Sequence, residues 1–160
     1  MNLFISVALL FFSIKVFAFI EDQKVNFKGT LVEPPSCIID SGNDISIDFG
    51  DKLSITKIDG INYTKSIPYT LTCPPGVPPL VLMLSVNGIS SSFDTNILKT
   101  NIPDLGIKFF SDSALLKINN PVTINPTNPP SLKAVPVKKT GTKLPVGDFS
   151  ATASLIAVYQ

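Results

Sequence analysis

One stretch near the carboxyl end, FSATASLIAVY over residues 149–159, restricts the fold more than any other. Phe149, Ala151, Ala153, Leu155, Ala157 and Tyr159 alternate with Ser150, Thr152 and Ser154, the period of a strand with one face on a core. Towards its end Ile156 and Val158 make the second face apolar as well. Such a strand needs cover on its faces and hydrogen-bonding neighbours on both flanks. No further strand follows it in this sequence. The missing neighbour is therefore expected either from earlier in the chain or from another molecule.

The preceding residues lack helical periodicity. Short alternating or β-branched runs at 25–32, 37–39, 45–49, 63–73, 80–86, 106–110, 115–118 and 132–138 are separated by Pro, Gly, Asn and Asp. The 14 prolines fall mainly between runs, as at Pro34-Pro35, Pro74-Pro75, Pro78-Pro79 and Pro129-Pro130. Pro68 and Pro136 lie inside runs, which predicts an edge, a bulge or a change of sheet at those points. Many short strands with such punctuation predict an all-β sandwich in one domain. Residues 118–131 read as a long polar loop.

Residues 1–18 read as a secretory signal rather than as structure. Residues 3–14 form an apolar run of signal-core length, Lys15 closes it, and Val16-Phe17-Ala18 supplies small residues for cleavage. The run is short for a transmembrane helix, although no Lys or Arg precedes it. In the oxidising compartment this implies, the two cysteines, Cys37 and Cys73, read as one disulfide. Closing a loop of that length contributes about 3–4 kcal/mol in the chain-entropy model. A zinc site is a poor alternative, because the chain has no His and no other Cys.

Charge and chemistry exclude several functions. The net charge is +1, all basic residues are lysines, and they are scattered apart from Lys138-Lys139. That is no footprint for nucleic acid. An enzyme needs a base, a nucleophile or a metal, and the commonest base is missing. Asp44, Asp48 and Asp51 could in principle cleave glycosides or hold a cation. However, Asp44 and Asp48 alternate with Ile45, Ile47 and Phe49, which puts them on the solvent face of a strand. The triplet Asp48-Phe49-Gly50 has none of the companions of a kinase motif. Asn62-Tyr63-Thr64 is a glycosylation triplet of a kind common by chance. The expectation is a non-enzyme with no cofactor, metal or small-molecule substrate.

At the other end, Val25, Phe27, Gly29 and Leu31 alternate with Asn26, Lys28 and Thr30, ahead of the Pro34-Pro35 break. Glycine weakens a strand unless something must approach its backbone closely. Two readings stay open: an ordinary first strand, or a strand exported to the free flank of another copy's final strand.

The stretches VNFKGTLVEPPSCII, IDFGD and YTLTC resemble the pilin subunits of the chaperone–usher pathway. The closing stretch strengthens this, with Gly147 fourteen residues from the end, the alternating apolar positions, and the penultimate aromatic Tyr159. The contexts are most similar to minor subunits of P-type pili. The resemblance implies an incomplete immunoglobulin-like β-sandwich that lacks its final strand and is completed by donor-strand complementation. It implies a signal peptide at 1–18, a donor extension at 19–33 and a pilin domain at 34–160. Val25, Phe27, Gly29 and Leu31 would be donated to a neighbour. Gly147, Phe149, Ala151, Ala153, Leu155, Ala157, Tyr159 and Gln160 would form the strand beside the acceptor groove. A periplasmic chaperone would hold that strand first, with the Gln160 carboxylate anchored by basic residues of its cleft. At the outer-membrane usher a neighbouring pilin subunit would replace it, and the product would be a fimbria on the cell surface. The alternative is a subunit that also binds a host glycan in adhesion, with residues 118–131 the first place to look. Tip adhesins of the pathway resemble longer, two-domain chains without a donor extension.

Overall fold

The computed structural model describes residues 23–31, 33, 36–75 and 80–160. The expected signal peptide at 1–18 lies outside them, as does Val32, and so does most of the remainder of the expected 19–33 extension beyond residues 23–31. Two units are distinguished, up to Leu31 and from Val32 onward.

Among the described residues the second unit contains ten strands. They are β1 (Ile38–Ile39), β2 (Lys65–Ile67), β3 (Leu71–Thr72), β4 (Leu82–Asn87), β5 (Leu98–Lys99), β6 (Leu105–Ser111), β7 (Ala114–Leu116), β8 (Val122–Ile124), β9 (Leu132–Lys138) and β10 (Ser154–Tyr159). One sheet has the order β10-β4-β8; the other runs β2-β9-β6-β5, with β7 also on β6. All pairings are antiparallel. A small two-stranded sheet joins β1 to β3.

Alternation decides which side chains meet. Leu82, Leu84 and Val86 stand opposite Tyr159, Ala157 and Leu155 in the β4–β10 ladder, so one apolar face is shared. In the other sheet Ile107 and Phe109 stand opposite Pro136 and Ala134. These faces pack together with Leu98, Leu116, Ile118 and Leu132 into one buried cluster. A second, smaller cluster holds Ile58, Ile102, Leu105 and Leu144. The result is the all-β sandwich anticipated from the turn spacing, of the immunoglobulin-like class that the resemblance implies.

Several details differ from the sequence reading. The run at 63–73 is two short strands, β2 and β3, and Pro68 marks the break between them. Residues 118–131 are not a single loop: Val122–Ile124 is β8, pairing with Leu82–Leu84 of β4. Its β-branched ends outweigh the polar residues around it. Pro136 lies in the centre of its sheet, but β2 pairs with β9 only as far as Ala134. The flank of β9 is therefore open where the proline falls, as a residue without an N–H requires. Residues 45–49 alternate between half-buried and exposed as expected, whereas residues 150–153 are all exposed; neither stretch belongs to a ladder, and residues 23–31 form no strand. A strand is defined by its partner's hydrogen bonds, and a face pattern alone does not provide them.

Cys37 and Cys73 form a disulfide across 36 positions, beside the β1–β3 pair. Replacing both by serine is expected to cost about 2–5 kcal/mol, read as a lowered denaturation midpoint of the exported protein. Thiol labelling of the denatured, unreduced wild type should find no free thiol.

Candidate functional site

The apolar face of the final strand is covered at one end and open at the other. Tyr159 and Ala157 are buried, Leu155 is half-buried, and Ala153 and Ala151 are exposed. The reason is the flank opposite β4. Near its end β10 is bridged by Ser36, which pairs with Val158. Gln160 is tied back to the start of β4: its N–H donates to the Val81 carbonyl at 2.9 Å, and the Val81 N–H donates to the Gln160 oxygen at 2.8 Å. The Tyr159 hydroxyl donates to the Pro74 carbonyl at 3.2 Å. Among the described residues, no strand lies beside the second flank from Ile156 back to Phe149.

Across the opening stand residues 45–49. Ile45, Ile47 and Phe49 are half-buried while Asp44, Ser46 and Asp48 are exposed, so this edge presents the same kind of face. Between the edges lies a cavity of about 350 Å³ whose floor includes Val86, Ile107 and Phe109 from the sandwich core. A second cavity of about 350 Å³ continues past Phe49 and Phe149 to Leu53, Leu144 and Gly147. Where the two meet, the rings of Phe49 and Phe149 approach to 5.8 Å between centroids, tilted by 36°. The whole is a long apolar trough with an unpaired edge on each side and an aromatic pair across its middle. It has the form of a sheet with one strand removed, and it suits an extended peptide.

Gly147 lies at the far end of the trough with φ of 150°, a conformation that disfavours side chains, and the chain passes from there into the groove edge. The anticipated positions Phe149, Ala151, Ala153 and Leu155 all line the trough. Ala157, Tyr159 and Gln160 lie beyond it, in the closed end of the strand. Cys37 and Cys73 pack against the main core cluster. In the first unit, Val25, Phe27 and Leu31 are exposed, Phe27 at 91%, and a Cβ on Gly29 would meet nothing within 4 Å. The edge at 45–49 was missed as part of the site. Its signal was available, because ISIDF alternates just as the closing stretch does.

Among the described residues no three His, Cys, Asp or Glu side chains gather as a metal site would need. Asp48 accepts the Gly50 N–H at 2.8 Å, a turn contact.

Comparison with known proteins gives concordant results. Residues 25–160 match the family model described as fimbrial protein. An uncharacterised fimbrial-like protein of Escherichia coli K12, YfcQ, is 38% identical over 144 residues, covering 87% of this chain and 88% of that one. A solved structure of the P pilus adaptor subunit PapF superposes with a TM-score of 0.57 at 28% identity, over 80% of this chain and 98% of that one. The P pilus rod subunit PapA superposes with a TM-score of 0.58 at 25% identity, over 86% and 100%.

Proposed function

Because the chain belongs to the fimbrial protein family, we propose that it is a minor structural subunit of a chaperone–usher fimbria that polymerises by strand exchange. The trough between residues 45–49 and 149–155 accepts an N-terminal segment from a neighbouring subunit. Its own Val25, Phe27, Gly29 and Leu31 are donated onward. The observation that carries this reading is the trough itself, an apolar core floor open to solvent between residues 45–49, which join no ladder, and the unpaired flank of residues 149–155.

The physics favours occupation. Unpaired N–H and C=O groups along two edges and an uncovered core floor are an aggregation hazard. An added strand satisfies the backbone groups and fills the trough with alternate side chains. Burying Val25, Phe27 and Leu31 contributes about 5–9 kcal/mol gross, before ordering costs. Gly29, having no side chain, is the residue of that segment best suited to pass the Phe49–Phe149 pair.

During export the trough needs a temporary occupant, which in this pathway is a periplasmic chaperone. Affinity purification of the tagged subunit from periplasm should therefore recover one chaperone per subunit. Recovery of a monodisperse, chaperone-free monomer would overturn the proposal.

A further inference from the structure

The rim of the trough has a charge pattern that the apolar fit does not need. Asp44, Asp48 and Asp51 stand along one edge and Asp148 at the start of the other, and all four are exposed. Lys52 adjoins Asp51 and Lys143 precedes the second edge, but neither makes an ion pair with a rim carboxylate. Among the described residues the only ion pair is Lys139–Asp104, elsewhere on the domain. The four rim carboxylates thus have no lysine within ion-pair distance. The alternating run of the N-terminal segment has the opposite pattern, although Glu21 and Asp22 precede it. Its outward positions, alternating with Val25, Phe27, Gly29 and Leu31, are Lys24, Asn26, Lys28 and Thr30. Residues 23–31 contain no acidic side chain; Glu33 lies past the alternating run.

We infer that the acidic rim selects a donor strand with basic outward residues, and that the N-terminal segment of a second copy of this chain meets that requirement. This rests on the strand-exchange reading and adds a selection rule to it. The trough reads one face of the donor by size, and the rim reads the other by charge. With Gly29 at the Phe49–Phe149 crossing, Lys28 lies one residue from it. Asp48 and Asp148 each precede one of those rings, so the lysine finds a carboxylate close by whichever way the strand runs. Pairs of this kind at a solvated rim act mainly on encounter rate and on rejection of wrong partners. They weaken as salt rises.

The test uses the mature subunit isolated with its chaperone, and a labelled peptide of residues 23–33. Capture is followed by anisotropy and by loss of chaperone. The wild-type peptide should enter about tenfold faster than one with Lys24→Glu and Lys28→Glu at low ionic strength. The two rates should converge in high salt. A subunit with Asp44→Lys and Asp48→Lys should reverse the preference, with its yield of chaperone complex showing that it folds. Equal capture of both peptides at low salt overturns the charge rule and leaves strand exchange standing. Failure of both peptides to enter overturns both.

Discussion

Tyr159→Asp and Leu155→Asp should each all but eliminate soluble subunit from the periplasm, though by different routes. Tyr159 is 6% exposed and its ring belongs to the main core cluster. Removing a buried aromatic ring costs about 3–5 kcal/mol. Leaving a carboxylate in its place adds the penalty of an unpaired buried charge. Together these approach the whole stability of a typical domain, about 5–15 kcal/mol. Leu155 is only half-buried and lines the trough, so its replacement spares most of the core but places a charge where the proposed incoming strand would lie. The readout is chaperone-bound subunit in periplasmic extract. Leu155→Met, which keeps the apolar volume, should restore it. Normal complexes from Leu155→Asp would show that the trough is not the capture site.

Deleting residues 19–31 tests the opposite end. The two core clusters are composed of residues from Cys37 onward, so the truncated subunit should still fold and be recovered with its chaperone near the intact level. It should fail to enter the preceding subunit, and fibre growth should stop at it or pass it by. If the segment were an ordinary first strand, its loss would remove the side chains of Val25, Phe27 and Leu31 from the core, at about 2–5 kcal/mol for each large aliphatic. The complex would then be lost. Gly29→Leu should give a milder defect confined to assembly, because the folded subunit has open space at Gly29 and a side chain there would matter only in the proposed docking.

Fold class and the closing strand were legible because both rest on period-2 alternation, which survives without knowledge of partners. Phe149 to Tyr159 could be assigned to one face from the sequence alone. Which part of that face is open could not, since the difference between Ala153 and Ala157 depends on where β10 has a neighbour on its second flank. Ser36 reaches Val158 across more than a hundred residues, and no local pattern records such a contact. The same limit concealed β8, whose three residues become a strand only because Leu82–Leu84 lies beside them. It also concealed the second wall of the trough, which was read correctly as a strand-like face but not as the counterpart of residues 149–155. Cys37 and Cys73 were simpler, being the only two candidates for one bond.

That bond has a mechanical consequence. If the subunits join by the proposed strand exchange, tension on a fibre pulled lengthwise would reach each subunit through its N-terminal segment and enter the folded body just before Cys37. Without a cross-link, the first resistance is the Ser36–Val158 bridge and the two-residue β1, a weak grip. Once that, the burial of Ile58 and the three-residue β2–β9 ladder yield in turn, the chain up to Cys73 could unravel by about 120 Å per subunit at full extension. With the disulfide in place the load bypasses this 36-residue span and passes directly to β3. An oxidised fibre should therefore be stiff until strands leave their grooves, whereas a reduced one should pay out slack first under a far smaller force.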